Sequence, residues 1–155
     1  MIFLGCYLNS IDFELSMSSL IKLNPNYANA HYNLGNILNE FGQLEDAEIS
    51  LRKAIKLKPD FPKAHSNLGN VLRGLKKLQE AELCQRKAIE LNPNFPLAYF
   101  NLGNILNDQG KLQEAELCQR KAIELQPNLA DAYFNLGGIL QKLGKSKEAE
   151  NSYRK

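Results

Sequence analysis

Length, composition and charge place this chain among ordinary folded proteins. Its 155 residues suit one compact domain or a short repeat array, and 44% hydrophobic with 23% charged residues excludes a disordered chain. The formal net charge of +2 is too small to indicate a basic surface that binds nucleic acid, so we expect no nucleic-acid partner.

The first segment of the chain, residues 1–27, is the least regular. It opens with the apolar letters MIFLGCYL, which are too few to span a membrane and carry no basic leader, so we expect no membrane partner and no secretory signal. Three cysteines without framework spacing (Cys6, Cys84 and Cys118) favour a reducing, cytoplasmic location. Further on, SMSSLIKLNPNY is similar to the end of later helical segments. We therefore predict that residues 1–27 form a degenerate N-terminal capping helix.

From residue 28 onward the sequence repeats itself. Leucine, alanine and proline each recur at intervals of 34 residues: Leu34, Leu68, Leu102 and Leu136; Ala47, Ala81, Ala115 and Ala149; and Pro25, Pro59, Pro93 and Pro127. A fixed period of this length without insertions indicates a repeat architecture.

Each unit contains two helical patterns. Apolar residues follow a spacing of three and four on either side of a central turn. Gly42, Gly110 and Gly144 stand where a glycine would end the first helix, whereas the second unit has Lys76 there, so we expect its turn to differ. Proline then ends the second helix, which gives helix, turn, helix, turn.

The third unit shows the pattern most completely and resembles the tetratricopeptide repeat (TPR) family. The matching residues are Tyr99, Leu102, Gly103, Leu106, Ala115, Ala122 and Pro127. This resemblance implies an all-α, right-handed α-solenoid of stacked antiparallel helix pairs, with units at 28–61, 62–95 and 96–129 and a partial unit at 130–155. It also implies that Gly35, Gly69, Gly103 and Gly137 face the recurring alanines, where small side chains let helices approach closely.

The sequence departs from that family in the second helix. Where an aromatic residue is usual, Leu51, Gln85 and Gln119 stand in the first three units, and only Tyr153 conforms. We expect Cys84 and Cys118, one residue earlier, to fill part of that space. The prediction is slightly altered helix packing within the same fold.

No pattern indicates an active site. His31 and His65 occupy the position of Tyr99 and Tyr133 in later units, which favours packing over catalysis or metal binding. The cysteines lack metal-ligand spacing, and the chain has no phosphate loop or nucleophile elbow. We therefore predict no enzymatic activity, no catalytic residues, no metal site and no cofactor. Recurring Arg-Lys pairs lie four residues after glutamates, which favours a self-neutralised outer face.

The resemblance further implies that the first helix of each unit lines a concave groove. Asparagine offers both a donor and an acceptor, as a peptide amide does, so asparagines one repeat apart could hold the backbone of an extended peptide. A purely structural role, in which the asparagines bond neighbouring helices, is the alternative, and the two roles can coexist. The predicted peptide-binding residues are Asn33, Asn36, Asn67, Asn70, Asn101, Asn104, Asn135, Tyr32, Phe100 and Phe134.

Three functional hypotheses follow. The first is a non-enzymatic protein–protein interaction module that binds an extended peptide segment through this asparagine ladder. The second is the substrate-recruiting arm of a larger transferase, because the groove lining is similar to the repeat array of the protein O-linked N-acetylglucosamine transferase. The third is a self-assembling scaffold, a homo-oligomer joined through incomplete solenoid ends. A charged C-terminal tail is a poor ligand candidate, since Tyr32, Leu97 and Asn101 stand where a carboxylate clamp needs lysine or arginine.

Overall fold

The protein is all-α within the part of the chain that the structure describes. The computed structural model describes Ser19, residues 21–24 and residues 26–155, and no strand occurs among them. Most of the capping helix predicted for residues 1–27 lies outside the described residues. The helices with assigned bounds are α1 (Ala28–Glu40), α2 (Leu44–Leu57), α3 (Pro62–Gly74), α4 (Leu78–Leu91), α5 (Pro96–Asp108), α6 (Leu112–Leu125), α7 (Ala130–Lys142) and α8 (Ser146–Tyr153).

These helices stack as an α-solenoid, which confirms the predicted fold class. Each odd-numbered helix packs against the even-numbered helix after it, and each even-numbered helix against the next odd-numbered one. The odd-numbered helices of successive pairs also pack closely against each other, whereas the described even-numbered helices meet across pairs through ion pairs between long side chains, such as Arg52–Glu80, and not through close backbone packing. The stack therefore curves with α1, α3, α5 and α7 on its inner, concave side.

One apolar core runs through the first three helix pairs. Leu38, Leu51, Leu68, Leu72 and Ile105 belong to a single buried cluster, although they come from α1, α2, α3 and α5. Since each pair buries its apolar surface only against its neighbours, this continuity is what stabilises a solenoid.

The glycines in the middle of the odd-numbered helices allow close helix contact. At Gly35 the recurring alanine is one of the partners, since an added Cβ would lie 3.3 Å from Ala47 O, but the nearest partner is a different residue. A Cβ on Gly69 would lie 2.7 Å from Gln85 Nε2, and one on Gly103 would lie 2.7 Å from Gln119 Nε2. The glycines thus face the residue four positions after the recurring alanine. That residue stands at the position where the family usually has an aromatic residue, and its side chain occupies the space above each glycine.

The turn of the second unit does not differ from the others, contrary to expectation. Lys76 adopts φ +62°, close to the +74° of Gly42. The Lys76 N–H donates a hydrogen bond to Arg73 O at 3.0 Å, and the Lys77 N–H donates one to Leu72 O at 2.9 Å. This is the same Schellman pattern that Gly42 forms. The preceding helix imposes this geometry on a residue whose side chain disfavours it.

We expect Lys76→Gly to raise the free energy of unfolding by about 1 kcal/mol, because it relieves a left-handed conformation that costs a side chain about that much. Urea denaturation measures the change. Gly110→Lys is the matched reciprocal variant and should lower stability by a similar amount. Equal stability of Lys76→Gly and wild type would contradict the interpretation.

Candidate functional site

All ten predicted groove residues lie on the odd-numbered helices, the inner side of the stack. Nine of them are partly buried, and Phe134 is 69% exposed. We call Asn33, Asn67, Asn101 and Asn135 the ladder, and Asn36, Asn70 and Asn104 the second row.

Hydrogen bonds connect the ladder to the second row of the preceding unit. Asn67 Nδ2 donates to Asn36 Oδ1 at 2.6 Å, and Asn135 Nδ2 donates to Asn104 Oδ1 at 2.8 Å. Asn101 differs, because its Nδ2 donates to Ser66 Oγ at 3.4 Å instead. The asparagines therefore hold adjacent units together, as the structural alternative predicted.

Two glutamines complete this network, and the sequence-based prediction of the site omitted both. Gln85 Nε2 donates to Asn70 Oδ1 at 3.1 Å and to Ser66 O at 2.8 Å. Gln119 Nε2 donates to Asn104 Oδ1 at 2.8 Å and to Phe100 O at 3.2 Å. Both glutamines are fully buried. The sequence does contain a signal that could have identified them, namely a long polar residue at a position where the repeat normally has an aromatic residue.

These bonds give the amides a common orientation. Each second-row oxygen accepts at least one hydrogen bond, whereas no second-row nitrogen donates to another described residue. In the ladder the nitrogens of Asn67, Asn101 and Asn135 donate, and their oxygens accept nothing from the described residues. Free acceptors thus alternate with free donors along the inner face.

Three cavities follow one another along this face. The first, of about 210 Å³, lies between Asn36 and Asn70, and the second, also about 210 Å³, runs from Asn70 to Arg73 and Asp108. The third, of about 350 Å³, extends from Arg73 to α7. Because Asn70 lines the first two cavities and Arg73 the last two, the three are neighbours, and we call them together the groove. Four of the predicted residues line none of these three cavities: Asn33, Asn101, Tyr32 and Phe100.

The two described cysteines, Cys84 and Cys118, line none of the three cavities of this groove. Cys84 and Cys118 are free thiols that pack beside the buried clusters. Burial raises the pKa of each thiol to about 11, so both stay protonated near neutral pH.

The outer face carries a repeated ion-pair network. Arg120 pairs with Glu116 four residues earlier at 2.9 Å, and also with Glu148 of the next helix pair at 2.6 Å. Lys145 reaches back to Glu116 at 2.8 Å. The same arrangement recurs around Glu48 and Glu82. The predicted pairs within helices are present, and they extend into links between successive units.

The network lowers the pKa of its three central glutamates. At Glu116 the hydrogen bond from Lys145 is the largest influence, and together with Arg120 it outweighs burial. At Glu48 and Glu82 burial is the largest single influence and raises the pKa, but the bonds from lysine and arginine together exceed it.

We expect stability to fall in acid because of these glutamates. Their pKa is lower in the folded protein than in the unfolded chain, so the unfolded chain binds more protons as the pH drops below the ordinary glutamate pKa of about 4.3. The stabilisation is complete above that pH and is lost as the pH falls through the lowered folded-state pKa. Thermal unfolding of wild type and Glu116→Gln across this range measures it.

Glu45→Gln is the matched control, since Glu45 is exposed and forms no ion pair with another described residue. Glu116→Gln should flatten the acid-side loss of stability, and Glu45→Gln should leave it unchanged. Parallel curves for Glu116→Gln and wild type would contradict the assignment.

Comparison with family models identifies the repeat. A model described as TPR repeat matches residues 35–76 and 103–144, more than half of the chain. Two further models, each described as Tetratricopeptide repeat, match residues 18–49 and 84–116, and residues 62–95. No curated protein matches the chain.

Solved structures share the architecture. A crystal structure of MamA has a TM-score of 0.84 at 26% identity, covering 91% of this chain and 82% of that one. The first TPR of Spaghetti (RPAP3), bound to the HSP90 peptide SRMEEVD, has a TM-score of 0.74 at 28% identity, covering 76% and 93%. YrrB, described as a TPR protein with an unusual peptide-binding site, has a TM-score of 0.77 at 25% identity, covering 97% and 77%. Among the described residues, no helix has the length and apolar character to cross a membrane.

Proposed function

The chain belongs to the tetratricopeptide repeat family, and we propose that it is a non-enzymatic interaction module whose concave groove binds an extended segment of a partner protein. Two of the structurally similar proteins are described as binding a peptide or having a peptide-binding site. In this chain the proposed contacts are the ladder and second-row amides, with Tyr32, Phe100 and Phe134 beside them.

The observation that carries the proposal is the fixed polarity of the groove amides. Bonds within the protein use the second-row oxygens as acceptors and the nitrogens of Asn67, Asn101 and Asn135 as donors, so the second row keeps its N–H donors and these ladder residues keep their C=O acceptors. The backbone of an extended peptide carries one donor and one acceptor per residue. These can pair with the alternating donors and acceptors of the groove whatever the sequence of the peptide. The same asparagines thus join the units and leave half of each amide for a ligand.

The test uses the ladder variant Asn67→Ala/Asn101→Ala and a display library of unstructured peptides of about ten residues, long enough to follow the groove. Peptides selected on the wild type should bind this variant about tenfold more weakly or worse, because each lost hydrogen bond contributes about 1 kcal/mol. Fluorescence polarisation gives the affinities, and circular dichroism shows that the variant remains folded.

The matched control is Gln79→Ala/Gln113→Ala. It also removes two amides one repeat apart, but from exposed positions on α4 and α6. It should bind the selected peptides as the wild type does. A folded ladder variant with wild-type affinity, or a library that yields no binder, would overturn the proposal.

Self-assembly is a second candidate, and a row of exposed apolar side chains favours it. Ile49, Leu83 and Leu117 recur one repeat apart on the even-numbered helices and are 67%, 68% and 68% exposed. Light scattering across concentration decides, since a mass that stays at 17.5 kDa rejects it. The transferase-arm hypothesis concerns the same groove, and no observation on the described residues favours it.

A further inference from the structure

The third cavity of the groove differs from the other two in size and lining. It measures about 350 Å³, and its lining includes Phe134, Gly138, Ile139 and Lys142 of α7 together with Arg73 of α3. The first two cavities are smaller and are lined by polar and charged side chains and a glycine.

A break in the second row creates this space. Gly138 stands one repeat after Asn104, at the position that Asn36 and Asn70 hold in earlier units. A Cβ built on Gly138 would find only Tyr153 Oη within 4 Å, at 3.7 Å. The missing side chain therefore leaves room that a ligand side chain could fill.

The cavity has an apolar wall. The Phe134 ring is 69% exposed and contacts Tyr153 on one side, with the ring centroids 5.7 Å apart. Ile139, only 2% exposed, also lines it. A bulky apolar side chain seated here would cover an exposed aromatic ring, which stabilises the bound state.

The polar groups around the cavity are mostly donors, and two are cationic. Lys142 Nζ donates to Asn107 Oδ1 at 2.9 Å and forms no ion pair with another described residue. Arg73 uses only Nε, bonded to Asp108 Oδ2 at 2.6 Å, so its other guanidinium N–H groups remain. Asn104 Oδ1 already accepts two bonds, which leaves its amide nitrogen. Donors with a net positive charge recognise a carboxylate.

We propose that this cavity sets the sequence preference of the groove, by binding a bulky apolar side chain and an acidic side chain that lie close together on the extended partner segment. The apolar group packs on Phe134 over Gly138, and the carboxylate bonds to Lys142 and Arg73. This inference rests on the proposed function, because the partner's backbone must follow the groove for both side chains to reach the cavity.

The experiment uses rhodamine-labelled peptides of about nine residues. All peptides are C-terminally amidated and share a neutral polar sequence. In each, one leucine and one glutamate replace two residues of that sequence, and the two are placed from one to three positions apart. Leu–Gln and Ala–Glu peptides of each spacing are the ligand controls. At the best spacing, Leu–Glu should bind about fivefold to tenfold more tightly than Leu–Gln, and added salt should remove most of that difference.

Two variants locate the effect in this cavity. Gly138→Asn fills the space for the apolar group and should abolish the preference for Leu–Glu over Ala–Glu. Lys142→Gln removes one of the two cations and should abolish most of the preference for Leu–Glu over Leu–Gln, while leaving the affinity for the neutral polar peptide unchanged. Lys147→Gln, which removes an exposed lysine of α8, is the matched control and should keep the preference.

The outcomes separate this inference from the proposed function. Peptides that bind equally well with Leu–Glu and Leu–Gln overturn the inference and leave the groove function standing. Loss of binding by every peptide overturns both. A neutral peptide with a free C-terminal carboxylate that matches the Leu–Glu peptide overturns the assignment to an acidic side chain.

Discussion

Gly35→Ala should lower the free energy of unfolding by about 2 kcal/mol, although alanine is the better helix former. The added Cβ would lie 2.6 Å from Leu51 Cγ and 3.3 Å from Ala47 O. Leu51 is fully buried, so its branch point cannot move without displacing other core side chains. The overlap therefore outweighs the helix-propensity gain of about 1 kcal/mol. The urea unfolding midpoint measures the change.

Gly138→Ala is the matched control for that variant. Gly138 also lies inside an odd-numbered helix, but its nearest contact for a Cβ is at 3.7 Å, an ordinary van der Waals distance. The same substitution should therefore stabilise the protein by about 0.5–1 kcal/mol through helix propensity alone. If both variants shifted stability in the same direction, the close contact at Gly35 would not be the determining factor.

The fold could be predicted because the determining pattern is local and repeated. The interval of 34 residues aligns each leucine and alanine with its counterparts, so one interpretation had to satisfy four copies at once. The alternation of two helices and two turns then leaves few ways to bury the apolar positions. A solenoid is built from contacts between helix pairs that are neighbours in the sequence. It needs no pairing between distant segments, which is hard to predict from a sequence.

The details of the site were less accessible, because they depend on which side chains meet across helices. The aromatic position was recognised as altered at Gln85 and Gln119, but the sequence does not say that each amide turns toward the groove and bonds Asn70 or Asn104. Likewise, the sequence shows only that Gly138 stands one repeat after Asn104, where earlier units have an asparagine. That the gap opens beside Phe134 and two cations depends on the geometry of the stack.

The largest contrast in stability is expected from exchanging the side chains at this altered position between units. Gln85 and Leu51 stand one repeat apart, and both are fully buried. Gln85 Oε1 has no hydrogen-bond partner among the described residues. An unsatisfied buried polar atom costs about 1–3 kcal/mol, whereas the two bonds that its Nε2 donates contribute about 1 kcal/mol each.

We therefore expect Gln85→Leu to stabilise the protein by about 1 kcal/mol, because leucine has a similar volume, packs over Gly69 as Leu51 does over Gly35, and removes the unpartnered Oε1, while the Asn70 oxygen that loses its donor lines the open groove. Leu51→Gln should destabilise it by about 2 kcal/mol, since it removes apolar packing and buries an amide. Urea titration of both variants gives the two signs. Destabilisation by Gln85→Leu would mean that the bonds to Asn70 and Ser66 outweigh the unsatisfied oxygen, and that the glutamines are retained for stability and not for orienting the groove.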